Sequence, residues 1–218
     1  MNLKEFGYYA NNKTQKIINV FENIGRQNSS NIPTLLLTGD SGIGKTYLAE
    51  CFAKAMGAKL LMVQCYPSMT ADNFIAEPNI AAIIKKDSQN AIKDGLLVKA
   101  LKETTDGPTV VLIDELDKAN DETDSFLLDF INSGRVTNGQ DEWNKGSGNI
   151  WVFITSNNKR ELSAAFLSTE SRYSWDDPTE HDWVEEDYCD YPRERVYDLV
   201  EYDDDDDDYD DYDYRYLK

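Results

Sequence analysis

The pattern of hydrophobic and polar positions predicts alternating strands and helices over the first 175 residues. Short apolar runs, which favour strands buried on both faces of a sheet, lie at 34–37, 59–64, 110–113 and 150–155. Elsewhere apolar residues recur at helical spacing, which predicts helices over 3–28, 47–56, 95–105 and 121–133. Because alternating strands and helices need crossover connections, we expect an α/β fold with a mostly parallel sheet covered by helices on both sides.

Glycines mark where two of these helices end. Gly57 and Gly134 directly follow predicted helices, and glycine readily adopts the left-handed conformation that terminates a helix. Residues 135–149 are rich in glycine and asparagine, which predicts a hairpin or a loop before the last strand of this region.

The negative charge is concentrated at the end of the chain. Of the formal net charge of −19, residues 176–218 carry −16, because they hold 20 acidic and four basic side chains. We expect disorder from about Tyr202, since the aspartate run 203–208 and the tyrosine–aspartate alternation after it cannot bury enough apolar surface to offset chain entropy. This tail is either a solvated segment that aids solubility or a polyanion mimic, which would occupy a basic groove on a partner or repel nucleic acid from a ring surface. Its interleaved tyrosines favour a binding role.

The remaining composition excludes several classes of protein. No run approaches the roughly 18 apolar residues of a membrane span, and the N-terminus lacks the apolar centre of a signal peptide, so we expect a soluble, cytoplasmic protein with no membrane partner. Three cysteines without a C-x-x-C pair predict neither a disulfide framework nor a zinc site. No basic patch indicates nucleic-acid binding, which disfavours a nucleic-acid partner.

A glycine-rich segment between the first predicted strand and the next helix matches the phosphate-binding pattern G-x-x-x-x-G-K-[ST]. Its residues are Gly39, Asp40, Ser41, Gly42, Ile43, Gly44, Lys45 and Thr46. Glycines let backbone N–H groups surround phosphates at a helix N-terminus, the lysine contacts the outer phosphates, and the threonine hydroxyl binds Mg²⁺. The match predicts a binding site for ATP with magnesium.

Two adjacent carboxylates follow the apolar strand at 110–113. We assign Asp114 to the magnesium shell and Glu115 to the general base that accepts a proton from the attacking water. Adjacent acids are also common on surface loops. The preceding apolar strand and the complete glycine-rich loop favour the catalytic assignment.

A polar amide follows the strand at 150–155. Asn157 would lie beside the outer phosphate and orient the water between itself and Glu115. The alternative is an asparagine that simply forms a turn at the end of a strand.

The stretches LLLTGDSGIGKTYLAE, GLLVKALKE, VVLIDELDKANDETDSFLLDFINSGRVT and ITSNNKRELSAAF resemble AAA+ ATPases of the MoxR and dynein-related group over roughly residues 30–175. The resemblance implies a P-loop NTPase fold, an AAA+ core with a five-stranded parallel sheet in the order 5-1-4-3-2. It also implies ring assembly with ATP at subunit interfaces, and work on protein partners. Within it, Lys45 and Thr46 match the Walker A motif, Asp114 and Glu115 the Walker B motif, and Asn157 sensor 1.

Two features depart from the family pattern. Similar proteins carry a pair of arginines, one of which reaches the neighbouring subunit's ATP, but this chain has Thr169 and Glu170 there. Arg172 is then either a substitute arginine finger or an ordinary surface residue. The family also has a helical lid after the core, and we expect this chain to lack a full one. We therefore divide the chain into an ATPase core (1–175), a vestigial lid or linker (176–201) and an acidic tail (202–218).

These features predict an ATP-hydrolysing module that works as a homo-oligomer, in a ring or filament, and remodels or assembles a protein partner. Because an arginine finger contributes roughly 10³- to 10⁵-fold to the rate, its loss would instead leave a nucleotide-dependent binding or structural protein with weak turnover. A DNA-directed ATPase is a third alternative, which the charge balance disfavours. The short length and the tail suit a viral or mobile-element version of the family.

Overall fold

The structure is a computed structural model that describes residues 1–27, 31–167 and 199–201. Our predictions for Arg172, for most of the lid or linker segment and for the acidic tail concern residues outside these ranges. They therefore stay predictions.

The described residues form helices and strands that alternate along the chain. In order they are α1 (Asn12–Arg26), β1 (Thr34–Thr38), α2 (Lys45–Met56), β2 (Lys59–Gln64), α3 (Ala71–Ile75), β3 (Ala76–Pro78), α4 (Ile80–Ile84), β4 (Ile92–Asp94), α5 (Leu96–Glu103), β5 (Thr109–Asp114), α6 (Glu122–Ser133), β6 (Arg135–Asn138), β7 (Asp141–Asn144), β8 (Ile150–Ser156), α7 (Ala164–Leu167) and β9 (Leu199–Glu201). Short 3-10 helices are formed by Leu3–Phe6, Ser88–Asn90 and Leu116–Lys118.

The main sheet has the strand order β2-β5-β8-β1-β9, and every pair in it is parallel. Counted along the chain, this is the second, third, fourth, first and fifth strand of the sheet, which confirms the predicted order 5-1-4-3-2. The fifth strand comes from 199–201, inside the segment that we had assigned to a lid or linker, and it pairs with β1 at the edge of the sheet.

Both faces of the sheet are covered by helices, as the apolar runs of β1, β5 and β8 predict. The run at 59–64 is the exception, because β2 lies at the edge of the sheet and none of its residues is fully buried. On one face α1 and α2 pack against the sheet through an aromatic cluster of Phe21, Phe52, Trp151 and Phe153, in which the rings of Phe21 and Phe153 lie 5.0 Å apart. On the other face the core is closed by α3, α5 and α6. The helices on the two faces thereby fix the positions of the strands, including the edge of the sheet where the parallel strands have their carboxyl ends.

One glycine sets how closely α1 approaches the sheet. A Cβ atom at Gly25 would lie 1.9 Å from Nε1 of Trp151, a distance that no side chain tolerates. The indole Nε1 of Trp151 donates a hydrogen bond to the backbone oxygen of Phe21 at 3.1 Å. The absent side chain at position 25 therefore allows the indole ring to lie under the helix.

The predicted helix over 3–28 is wrong in its first third. A 3-10 helix ends at Gly7, which has a φ of 92°, and α1 begins only after Asn11, whose side chain accepts a hydrogen bond from the backbone N–H of Thr14. Left-handed glycine terminates one helix and asparagine caps the next, which are ordinary roles of both residues. The helices over 95–105 and 121–133 and the hairpin within 135–149 are confirmed as α5, α6 and β6–β7.

Among the described residues, no helix combines the length and the apolar character that crossing a lipid bilayer requires.

Candidate nucleotide-binding site

Three strand ends bring the predicted site residues together. Strand β8 lies between β1 and β5, and Thr38 at the end of β1 is in register with Ser156 at the end of β8. The glycine-rich loop follows β1, Asp114 ends β5, and Asn157 follows β8. Because parallel strands end at the same edge, all three motifs lie at one edge of the sheet, where α/β proteins commonly bind ligands.

The glycine-rich loop has the backbone shape that a phosphate site needs. Gly39, Gly42 and Gly44 have φ angles of 131°, 94° and 96°, in the left-handed region that favours glycine. A Cβ atom at Gly42 would meet no atom within 4 Å, so open space lies in front of the loop. Helix α2 begins at Lys45 and no side chain caps it, which leaves its first N–H groups available to an anion.

Lys45 is 6% exposed and its ammonium is held inside the loop. Its Nζ donates hydrogen bonds to the backbone oxygens of Gly39 and Asp40, both at 2.6 Å, and to Oδ1 of Asn157 at 2.9 Å. Burial lowers the pKa of Lys45, and nearby carboxylates, Asp114 foremost, partly oppose that shift. A buried cation beside open space and free helix N–H groups fits a polyphosphate.

The proposed magnesium ligands already contact each other. The hydroxyl of Thr46 donates to Oδ1 of Asp114 at 2.9 Å, and the hydroxyl of Thr155 donates to the same oxygen at 2.7 Å. The described residues contain no cluster of three or more His, Cys, Asp or Glu side chains that would hold a metal alone. One carboxylate and one hydroxyl next to a phosphate site suit Mg²⁺, which usually keeps several waters and binds substrate phosphates.

Glu115 is the most connected acid of the site. Its carboxylate accepts hydrogen bonds from Asn157 Nδ2 and Gln64 Nε2, both at 2.8 Å, and forms an ion pair with Lys118. Its backbone N–H donates to the Thr155 hydroxyl at 2.8 Å, and its φ of 56° is unusual for a residue other than glycine. Such a conformation occurs where surrounding contacts over-determine the backbone, often at functional sites.

The hydrogen bond and charge of Lys118, helped by Gln64, hold the pKa of Glu115 below its usual range. A lower pKa keeps the carboxylate ionised, and a general base must be ionised to accept a proton. The structure therefore brings together all predicted site residues within its described ranges, and Arg172 lies outside them. Gln64, Lys118 and Thr155 were missed, although Gln64 directly ends an apolar strand and offered the same signal as Asn157.

Because Lys118 favours the ionised form of Glu115, replacing it by methionine should raise the pKa of that carboxyl towards its ordinary value. The acid limb of the turnover–pH profile should then move to higher pH, since Glu115, the predicted general base, would be protonated at a higher pH than in the unmodified chain. Lys159→Met is the matched control, because Lys159 is exposed and is the least of the named influences on Glu115. Equal displacement of the limb in both variants would contradict the role of Lys118.

A buried ion pair fixes the loop that carries Asn157. Both guanidinium ends of Arg160 donate to the carboxylate of Asp124 at 2.9 Å, and Asp124 is completely buried. The backbone N–H of Ser163 donates to Asp124 as well, at 2.8 Å. Asp117, also buried, accepts from the backbone N–H of Lys159 at 3.0 Å. These contacts join the loop after β8 to α6 and to the 3-10 helix after Glu115.

Tyr8 lies next to the glycine-rich loop. Its ring atom Cε2 is 3.8 Å from the position of a Cβ at Gly44, and its ring centroid is 6.2 Å from that of Tyr47 in α2. No spacing in the sequence indicated that the segment before α1 reaches this site, because the contact joins residues 36 positions apart.

The comparisons with known proteins agree with this geometry. Residues 34–172 match the family model of the AAA domain, dynein-related subfamily. A protein described as peroxisomal Lon protease homolog 2, from Pichia angusta, is 29% identical in an alignment of 118 residues that covers 51% of this chain and 12% of that protein. An uncharacterized protein of Staphylococcus saprophyticus is 26% identical over 112 residues, covering 51% of this chain and 40% of its own length. The chain thus spans less than half the length of either relative.

A solved structure has the same fold. A protein from Cytophaga hutchinsonii that is assigned as an ATPase superposes with a TM-score of 0.51 at 18% identity, over 71% of this chain and 43% of its own. At this identity the likeness concerns the fold alone.

Proposed function

The chain belongs to the dynein-related subfamily of AAA domains, and from this premise we propose that it binds ATP with Mg²⁺ and hydrolyses it. One observation supports the proposal above the others. Lys45 contacts Asn157, and Asn157 contacts Glu115, so a continuous hydrogen-bonded path joins the phosphate-binding lysine to the base.

Each residue has a role that follows from its contacts. Lys45 and the N–H groups at the start of α2 bind the phosphates, while Thr46 and Asp114 hold the metal. Glu115 accepts the proton of the attacking water, and Asn157 orients both that water and the base. Bound Mg·ATP supplies the phosphoryl group that is transferred to water.

We further propose that the module works as an oligomer on a protein partner. The resemblance to ring-forming ATPases suggests this assembly, and the fold offers a route for coupling. Arg160, three residues after Asn157, donates hydrogen bonds to Asp124 in α6. Helix α6 ends at Ser133 and is followed, after Gly134, by the hairpin β6–β7. A change in contacts at Asn157 can therefore reach this hairpin, which is mostly exposed.

The second candidate is a nucleotide-dependent binding protein with weak turnover. It is favoured by Thr169 and Glu170 at the expected arginine positions and by the ion pair that already engages Glu115. Turnover measured at increasing protein concentration separates the two functions, together with Arg172→Ala. Activity that rises with assembly and is lost in this variant supports the motor.

Nucleotide binding itself is tested by Lys45→Ala. We expect about 30- to 160-fold weaker binding of a fluorescent ATP analogue with Mg²⁺, because a charge-assisted hydrogen bond contributes about 2 to 3 kcal/mol. Lys54→Ala removes an exposed lysine near the other end of the same helix, and binding should stay within about twofold. Equal affinity of the Lys45 variant and the unmodified chain would refute the phosphate site.

A further inference from the structure

Four isoleucines of the segment between α3 and α5 are exposed to solvent. Ile80, Ile83, Ile84 and Ile92 are 61%, 48%, 76% and 71% exposed. The first three lie in α4 at spacings of three and four residues, so they share one face of the helix. Ile92 begins β4, opposite Pro78 and close to the start of α4, where the N–H of Asn79 donates to the backbone oxygen of Ala91 at 2.8 Å.

Three lysines border these isoleucines. Lys85 and Lys86 follow α4 directly, and Lys93 follows Ile92; all three are exposed. None of them forms a salt bridge within the described part of the chain, whereas Lys99 and Lys102 nearby pair with Glu77 and Asp94. We call the four isoleucines and three lysines the isoleucine–lysine face.

This face is unusual for a solvated surface. Exposed apolar residues scattered singly are normal, but a cluster marks an interaction site. Four of the nine large hydrophobic side chains that are exposed in the described residues fall within 13 positions here. A partner that suits this face must carry both apolar groups and negative charge.

We propose that the occupant is the tail of the same chain, residues 202–218. Its composition is the complement of the face: nine aspartates against Arg215 and Lys218 give a net charge of −7, and five tyrosines lie between them. Tyrosine rings pack on isoleucines while the aspartates pair with the lysines. Besides its tyrosines, the tail has one apolar side chain, a leucine. The tyrosines are therefore the main groups of the tail that can cover the isoleucines.

The tail is long enough to reach the face within one molecule. It starts after β9, at one edge of a five-stranded sheet that is about 19 Å wide from first to last strand. Strand β4 packs on α5, and α5 covers β2 and β5, which lie at the edge of the sheet opposite β9. The thickness of this helix layer adds about 10 Å to the distance that the tail must cross. Seventeen residues span up to about 56 Å when extended. Tethering also raises the effective concentration of the tail to the millimolar range.

Carbodiimide cross-linking of the full chain, read by mass spectrometry, tests the contact. This reagent joins carboxylates to amines at ion-pair distance. We expect aspartates of 202–218 to link to Lys85, Lys86 or Lys93 about fivefold more often than to the exposed lysines Lys4, Lys16 and Lys54. Equal linking to both sets would overturn the proposal. The experiment needs no nucleotide, so its outcome is independent of ATP hydrolysis.

The contribution of the isoleucines is tested by variants that keep all three lysines. The double variant Ile84→Gln, Ile92→Gln should lower the yield of these links about fivefold, because it removes the surface on which the tyrosines pack. The matched control is Met62→Gln, Tyr66→Gln, which changes two exposed apolar residues on β2 and just after it. Both doubles alter solvated positions, and circular dichroism checks that each is folded. A loss of links in the control alone, or in neither, contradicts the proposal.

Isotope mixing distinguishes cross-links within one molecule from cross-links between two molecules. In a mixture of ¹⁵N-labelled and unlabelled protein, links within one molecule stay isotopically pure. Pure links support the tail as an occupant in its own molecule. Mixed links would replace this proposal by exchange of tails between copies.

Discussion

The variant Glu115→Gln is expected to lose about 10³-fold in ATP turnover while it binds ATP within about twofold of the unmodified chain. Glutamine keeps the size of the side chain but accepts no proton at ordinary pH. In the structure its oxygen can still accept from Asn157 or Gln64, so the shape of the site is retained. The loss therefore reports on proton transfer, which contributes about 10² to 10⁴ in rate when a side chain is well placed.

Single-turnover phosphate release and equilibrium binding of ATP provide the two measurements. Glu122→Gln is the matched control, because Glu122 is exposed in the first turn of α6 and takes part in no contact at the site. Its turnover should be unchanged. Activity of Glu115→Gln equal to that of the control would remove Glu115 from the mechanism as the general base.

The glycine-rich loop and the strand ends were predictable because their chemistry is local. The contacts of the loop with its own lysine span five or six residues, and a strand followed by polar residues is visible in a short window of sequence. The order of the strands came from the family resemblance, not from the spacing of apolar residues. Family motifs carry information about long-range pairing that periodicity lacks.

Two long-range contacts around the proposed base were not predictable in the same way. Gln64 and Glu115 are 51 residues apart, and Arg160 and Asp124 are 36 apart. Each is a common polar residue, and only the folded sheet brings the partners together. Gly25 is a second example. The apolar pattern of its helix did not explain a glycine at this position, whereas in the fold any side chain there would clash with Trp151, which lies 126 residues away on β8.

The segment between β2 and α5 was also missed. It contains three-residue strands and five-residue helices, which are too short for a hydrophobic period to emerge. Its exposed isoleucines break the rule that apolar positions indicate the core. Function at a surface can override the burial pattern that sequence analysis relies on.

Asp124→Ala is expected to destabilise the chain by about 3 to 5 kcal/mol. The change removes the buried carboxylate that accepts two hydrogen bonds from Arg160 and one from the Ser163 N–H. It leaves a guanidinium whose side chain is only 20% exposed with two backbone oxygens and the exposed Asp121, and without its buried counter-charge. The contact with Asp124 is also the main reason that the pKa of Arg160 is raised. Urea unfolding followed by circular dichroism measures the loss, which should appear as a lower midpoint at an unchanged slope.

The same arginine supplies the control. Asp121 lies 3.5 Å from Nε of Arg160 but its side chain is 81% exposed, so Asp121→Ala should change stability by no more than about 1 kcal/mol. Adding Arg160→Met to Asp124→Ala should recover part of the loss, because it removes the uncompensated buried charge. If the two aspartate variants unfold at the same urea concentration, or if the second substitution deepens the loss, then the cost does not come from burying an unpaired guanidinium. Asn157 would in that case be held in place chiefly by the strand it follows.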